Sequence, residues 1–214
     1  MRTRTPWYIA ALLTVQVVIA IPIAAAAESY TIEELPTLGG PESTALGIND
    51  LGDVVGYAEL PGGEFRAVLW ADGTLTDLGT LGGPFSIAYD INDNLRIVGQ
   101  SESDVFPPGT RFAFYIDTGD PGQTALENLP YTYNAIARTV NASKQIAGVS
   151  LTTDLVDAVV WDATGAVHKL PAFILPGQGE DQGDVWDSND ANDLVGWSMF
   201  IDPGNGFIGR RAAL

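Results

Sequence analysis

Acidic side chains are concentrated near the C-terminal end of the chain. Six carboxylates fall within fourteen residues there, interspersed with glycines: Glu180, Asp181, Asp184, Asp187, Asp190 and Asp193. Carboxylates this close repel one another unless water or a cation lies between them, and calcium takes clustered oxygen ligands. The EF-hand run Asp-x-Asp-x-Asp-Gly is missing, so a solvated acidic loop is the alternative. We predict a calcium site at Glu180, Asp181, Asp184 and Asp187, and calcium is the one cofactor that the sequence suggests.

Aromatic side chains are candidate ligand-binding groups. Trp70, Tyr115 and Trp161 recur at equivalent places in the chain. Recurring aromatics typically pack between neighbouring repeats, because each buries a large area. Trp186 and Trp197 have no such counterparts, so we predict that these two residues contribute to a binding surface.

Motifs for catalysis are scarce. The chain has no cysteine and a single histidine, His168, so thiol catalysis is excluded and a Ser-His-Asp arrangement could use only that histidine. Neither a phosphate loop nor a Gly-x-Ser-x-Gly motif occurs. Paired carboxylates could hydrolyse a polysaccharide, but nothing selects one pair among the 27 acidic residues. We therefore predict no catalytic residue and favour a binding protein over an enzyme.

Four copies of one motif run through the chain. In each copy an asparagine precedes a glycine by seven residues, and the steps between successive asparagines are 43, 49 and 48 residues. These repeat positions are Asn49, Gly56, Asn92, Gly99, Asn141, Gly148, Asn189 and Gly196. An Asp follows the Asn in three copies but becomes Ala142 in the third, where Asn141 persists. The asparagine is therefore predicted to serve turn geometry rather than metal binding.

Each copy has the pattern of four short strands. The segments are apolar or β-branched, four to eight residues long and bounded by turn residues. The fourth copy lacks its last strand, and a similar stretch, residues 32–35, stands near the start. We predict an all-β repeat fold, a small β-propeller of four four-stranded blades closed by pairing of the N-terminal strand (30–35) with the C-terminal strand (211–214). The alternatives are an open arc, a β-solenoid and a dimer that completes a larger ring.

The first 27 residues have the pattern of a secretory signal peptide. Two arginines precede an uncharged stretch, 7–27, that ends in a run of alanines. A retained membrane anchor is the alternative. We predict that residues 1–27 are a signal peptide, that residues 28–214 form a single all-β repeat domain, and that the protein is exported to the periplasm or the extracellular space.

Composition narrows the classes of partner. With 10 basic against 27 acidic residues the net charge is −17, which opposes binding to nucleic acid and to anionic membranes. Because 46% of the residues are hydrophobic and 17% charged, disorder is also excluded. We expect an unknown protein or carbohydrate as partner, no nucleic acid, no membrane contact after signal removal, and a monomer or homodimer.

The repeat resembles a known family. Leu-Gly-Gly at 38–40 and at 81–83, each followed by Ile-Asn-Asp and Val-Gly pieces, is similar to the HAF-type extracellular repeats of bacterial exported proteins. The resemblance covers residues 30–214 and fades in the last two copies. The histidine that names the family is replaced by Arg66, Arg111 and Asp157. The resemblance implies an exported repeat protein with no established chemistry.

Taken together, these patterns predict an exported, propeller-like repeat protein that acts as a binding or structural module at the cell exterior. An extracellular polysaccharide hydrolase or lyase that uses paired carboxylates is the alternative.

Overall fold

The structure, a computed structural model, describes residues 30–117, 119–120, 122–152, 154–171, 182–201 and 208–213. The predicted signal peptide and two of the predicted calcium ligands, Glu180 and Asp181, lie outside these residues. The chain divides into two units, residues 1–34 and residues 35–214. In the described part of the chain, no helix has the length and hydropathy that a bilayer-spanning segment needs.

The described residues form strands and turns without any helix, which confirms the predicted all-β fold. Repeat 1 consists of β1 (Ser43–Ile48), β2 (Val54–Glu59), β3 (Phe65–Ala71) and β4 (Thr74–Asp77). Repeat 2 consists of β5 (Gly82–Ile91), β6 (Ile97–Ser103), β7 (Arg111–Ile116) and β8 (Thr124–Ala125). Repeat 3 consists of β9 (Asn134–Val140), β10 (Ile146–Leu151), β11 (Val156–Trp161) and β12 (Val167–Lys169). Repeat 4 has three described strands, β13 (Gly183–Ser188), β14 (Leu194–Ile201) and β15 (Ile208–Ala213).

Strands pair antiparallel within each repeat and parallel between repeats. Repeats 1 to 3 form one mixed sheet of twelve strands, in which single parallel pairs join β3 to β5 and β7 to β9. Repeat 4 forms a separate three-stranded sheet in the order β13, β14, β15.

The predicted closure of a four-bladed ring is not found in the structure. Residues 30–35 form no strand, and among the described strands β15 pairs only with β14. Leu35 and Leu38 instead pack against the buried side chain of Trp70 in repeat 1. The segment before β1 is therefore held against repeat 1 by burial of these two leucines rather than by strand pairing with the C-terminal end.

A β-bulge recurs in the first strand of every repeat. The register skips one residue at the same position in each: Leu46, Tyr89, Arg138 and Trp186. The glycine of the motif lies opposite on the second strand. A Cβ on Gly99 would lie 2.1 Å from the carbonyl oxygen of Ile87, and the other three motif glycines have equivalent contacts of 1.9 to 2.0 Å. The recurring glycine therefore reflects a backbone approach that leaves no room for a side chain.

The hydrophobic core lies between neighbouring repeats. Val55 of repeat 1 shares a buried cluster with Ile91 and Phe114 of repeat 2. Val98 of repeat 2 shares another with Val140 and Trp161 of repeat 3. Each repeat thus buries its apolar face against the next one, as stacked repeats do.

The short connectors before repeats 1, 2 and 3 also contact the repeat that follows them. The carbonyl of Pro36 accepts the indole N–H of Trp70 at 2.8 Å, and the carbonyl of Glu127 accepts that of Trp161 at 2.7 Å. In repeat 2 a tyrosine replaces the tryptophan, and the side-chain amide of Gln123 donates to the equivalent carbonyl, that of Gly79, at 2.8 Å. The prediction that the recurring aromatics pack between repeats is confirmed for Trp161, which shares a buried cluster with residues of repeat 2. Trp70 is also buried, but it packs within repeat 1 and against the connector before it.

Candidate functional site

The turns between the first and second strands of the repeats are linked by their asparagines. Within each turn the asparagine Oδ1 accepts backbone N–H groups; Asn92 accepts those of Asn94 and Arg96 at 3.0 and 2.9 Å. The amide Nδ2 donates to the asparagine carbonyl of the next repeat, from Asn49 to Asn92 at 3.4 Å, from Asn92 to Asn141 at 2.8 Å and from Asn141 to Asn189 at 3.0 Å. We call this row of contacts the Asn ladder.

The residue after each asparagine also joins neighbouring turns. The carboxylate of Asp93 accepts the backbone N–H of Asp50 at 2.8 Å, and that of Asp190 accepts the N–H of Ala142 at 2.8 Å. Between repeats 2 and 3, where alanine replaces the aspartate, Asn94 donates to the Ala142 carbonyl at 3.0 Å. The predicted turn role therefore accounts for the asparagine Oδ1 atom alone. Sequence reasoning missed that the asparagine amide and the aspartate beside it bond to neighbouring repeats.

An opening of about 320 Å³ lies at these turns, and all four repeats contribute to its lining. Five carboxylates line it: Asp50, Asp90, Asp93, Asp187 and Asp190. We call this opening the turn-face cavity. Its side chains give it a negative charge, so it attracts cationic or hydroxyl-rich groups.

Asp90 is the most buried of these carboxylates. Burial raises its pKa, and the backbone N–H groups of Val140 and Ile91, at 2.8 and 2.9 Å, offset part of that rise. Asp187 occupies the equivalent place in repeat 4 and accepts the N–H of Ser188 at 2.8 Å. Both aspartates therefore cap the backbone just after the bulge, which is a structural role that the sequence pattern did not reveal.

The two predicted binding tryptophans lie on adjacent strands of repeat 4. Trp186 is the bulged residue of β13 and is 60% exposed. Trp197 is half-buried on β14, where its backbone pairs with that of Asp184. Neither lines the turn-face cavity.

Two of the four predicted calcium ligands, Asp184 and Asp187, lie within the described residues. Asp184 is buried, and both its oxygens accept bonds from the guanidinium of Arg138 at 2.9 Å. Asp187 lies in the turn-face cavity, where Thr139 also reaches its carboxylate. Within the described ranges no group of three acidic or histidine side chains could hold a metal ion.

His168 lines a second cavity, of about 460 Å³, together with Arg96, Lys144 and Asp162. Its Nε2 lies 2.9 Å from an oxygen of Asp162, and hydrogen bonds from His168 and Thr164 hold the pKa of that carboxyl well below its usual range. Arg96 and Lys144 both pair with Asp117. Arg96, Lys144 and Asp162 therefore each already have a side-chain partner within the chain.

Comparison with known proteins gives no relative: neither a protein-family model nor a curated protein sequence matches this chain.

Proposed function

We propose that the protein is an exported, propeller-like repeat module that binds an extracellular ligand at its turn face. One observation carries the proposal: all four repeats contribute a turn to one cavity, and the Asn ladder links those turns. Loops held on a strand scaffold are where repeat folds typically bind their ligands.

The charge of the cavity narrows the class of ligand. Its carboxylates can accept hydrogen bonds from sugar hydroxyls or from lysine side chains, and several already hold backbone N–H groups, which keeps them in place. A polysaccharide or a basic segment of a secreted protein fits this chemistry.

The binding test uses residues 28–214 against a panel of surface polysaccharides and a lysine-rich peptide. The triple variant Asp50→Asn, Asp93→Asn and Asp190→Asn removes three charges, while the amide oxygen at 93 and 190 can still accept the backbone N–H. We expect one probe to bind and the triple variant to bind it at least tenfold more weakly, because each lost charge-assisted bond costs about 1 kcal/mol or more.

The matched control neutralises three exposed acidic residues elsewhere, Glu64→Gln, Asp72→Asn and Asp120→Asn. We expect it to bind as the unchanged protein does. Binding to none of the probes, or equal loss in both triple variants, would contradict the proposal.

Export is part of the proposal and has its own test. The alanine run before Glu28 has the small residues that signal peptidase requires. Mass spectrometry of the exported protein is expected to find an N-terminus at Ala27 or Glu28. An intact chain retained in the membrane fraction would contradict it.

A polysaccharide hydrolase or lyase remains the second candidate, favoured by one observation. Asp90 and Asp187 both line the turn-face cavity, and burial raises the pKa of Asp90, which is a pattern of paired catalytic carboxylates. Against it, both oxygens of Asp90 already accept backbone N–H groups. Release of new reducing ends that stops in Asp187→Asn would favour the enzyme, whereas we expect the polysaccharide to stay intact.

A further inference from the structure

The repeat-to-repeat interface has two complementary apolar halves. One half is the residue just before the glycine: Val55 and Val98 are fully buried and pack against the following repeat, and the equivalent Ala147 is fully buried as well. The other half is the residue just before the asparagine: Ile91 and Val140 are buried against the preceding repeat.

In the first and the last of the four repeats, the equivalent positions are exposed. Val195, the equivalent of Val55 in repeat 4, is 44% exposed, and Ile48, the equivalent of Ile91 in repeat 1, is 67% exposed. Trp186 on β13 is a further exposed apolar residue of repeat 4. Each end therefore displays one half of an interface that the chain completes internally.

The polar groups at the two ends are complementary as well. In repeats 1 to 3 the asparagine amide reaches the next repeat, whereas the amide of Asn189 bonds to Asp193 of its own turn at 3.0 Å. In later repeats the asparagine carbonyl and the following aspartate carboxylate accept hydrogen bonds from the preceding repeat. The equivalent groups in repeat 1 are the carbonyl of Asn49 and the carboxylate of Asp50. One more contact of the Asn ladder could therefore form between the ends: the Asn189 amide of repeat 4 is its donor, and the Asn49 carbonyl and Asp50 carboxylate of repeat 1 are its acceptors.

We propose that two copies of the chain associate head to tail, with repeat 4 of each copy against repeat 1 of the other. The proposed contact continues the interface already present between repeats within the chain, and both halves of it come from this sequence. Two such contacts close a symmetric ring of eight repeats, the upper end of the usual number of propeller blades. Closure leaves no repeat face exposed, so the assembly stops at two copies.

Disulfide trapping tests the geometry directly, because the chain contains no cysteine. Chains carrying Ile48→Cys are mixed with chains carrying Val195→Cys and oxidised under mild conditions. We expect a covalent dimer between the two variants on a non-reducing gel. The control pair combines Val195→Cys with Val105→Cys, another exposed valine outside both end faces, and is expected to stay uncross-linked.

The mass of the unmodified protein in solution gives an independent measurement. Light scattering after gel filtration is expected to show twice the chain mass, and Val195→Asp or Ile48→Asp is expected to raise the dissociation constant at least tenfold. Val105→Asp should leave it unchanged. Both end substitutions are at exposed positions, so circular dichroism should show an intact fold.

Three results would overturn the proposal. The first is a monomer at every concentration tested. The second is an intramolecular disulfide in a chain that carries both Ile48→Cys and Val195→Cys, without cross-linking between the two single variants, since that means the chain closes on itself. The third is a series of species larger than a dimer, which means an open polymer.

Discussion

At the scale of single residues, asparagine links the repeats because its side chain holds two turns at once. The Oδ1 atom of Asn92 accepts two backbone N–H groups of its own turn, and its Nδ2 donates to the carbonyl of Asn141. Aspartate could supply only the first function and alanine neither. Asn189 keeps the turn bonds but bonds to no later repeat in the described residues.

Comparing Asn92→Ala with Asn189→Ala isolates the ladder contact when both are made in the Val195→Asp chain, in which the proposed contact of repeat 4 with a second copy is weakened. We expect Asn92→Ala to cost about 2–3 kcal/mol, since it removes three buried or half-buried bonds. Asn189→Ala should cost about 1 kcal/mol, because its turn is exposed. Urea unfolding followed by circular dichroism measures both, and equal losses would show that the ladder adds nothing.

Asp117 is a second residue whose effect can be measured, through pH. Hydrogen bonds from the Arg96 guanidinium hold its pKa below the usual value, with Lys144 adding to the effect and partial burial opposing it. Because the folded pKa is the lower one, this pair stabilises the fold above the unfolded pKa. That contribution is lost as the pH falls through the folded pKa.

Asp117→Asn should therefore lower stability near pH 7 by about 1 kcal/mol, a modest value because the pair is partly exposed. The difference from the unchanged protein should shrink as the pH falls from about 4 and vanish at pH values below the folded pKa, where Asp117 itself is protonated. Thermal melts at a series of pH values measure this. A difference that is the same at every pH would contradict the assignment.

At the scale of strands, the bulge and the glycine opposite it act together. The bulge adds one residue to the first strand and brings a carbonyl of that strand towards the second strand. At Gly99 the added Cβ would also meet the Phe114 ring at 2.7 Å. The seven-residue spacing recurs because it sets the distance from the turn to this contact.

Gly99→Ala is expected to destabilise the protein by about 3 kcal/mol, because β5 or the Phe114 ring must move. Gly122→Ala is the control, since a Cβ there meets nothing within 4 Å and the backbone is not left-handed. We expect the control to change stability by less than about 0.5 kcal/mol. Similar unfolding midpoints for the two variants would show that the backbone adapts at the bulge.

At the scale of the whole molecule, stability comes from contacts between consecutive repeats. In the described part of the chain the three buried apolar clusters lie within residues 35–167, and each joins a repeat to its neighbour or to the connector before it. In such an arrangement stability is close to a sum of repeat and interface contributions. The fourth repeat adds one more interface to these clusters, and Val185 of that repeat is buried.

A chain ending at Pro171 should therefore fold, with a lower melting temperature than the chain of residues 28–214. It retains the three buried clusters but exposes the face of repeat 3 that the fourth repeat covers. Far-UV circular dichroism and a cooperative thermal melt are the measurements. Loss of the strand signal would show instead that the fourth repeat is required for folding.

Much of the architecture was predictable because the recurring residues serve local backbone geometry, in the turns and opposite the bulges. The Asn-Gly spacing and the apolar segments predicted the four repeats and their strands, and burial of Trp161 followed from its recurrence. The hydrogen bond from Gln123 to the Gly79 carbonyl could not be predicted, because Gln123 lies outside the repeat pattern. It takes the place of the indole N–H bond, which the tyrosine of repeat 2 cannot make. The capping role of Asp90 was hidden for a similar reason, since repeats 1 and 3 have glycine and threonine at that position.

By itself, the sequence determined that this chain is an all-β protein of four similar units, because turn residues and short apolar segments act over a few residues. Only the tertiary structure decided how the units are joined. The sequence predicts Leu35 in a closing strand, yet it packs against the cluster that contains Trp70, because burying a leucine requires a surface that exists only once repeat 1 has folded. The same holds for the Asn ladder, whose donors and acceptors are more than forty residues apart in the chain.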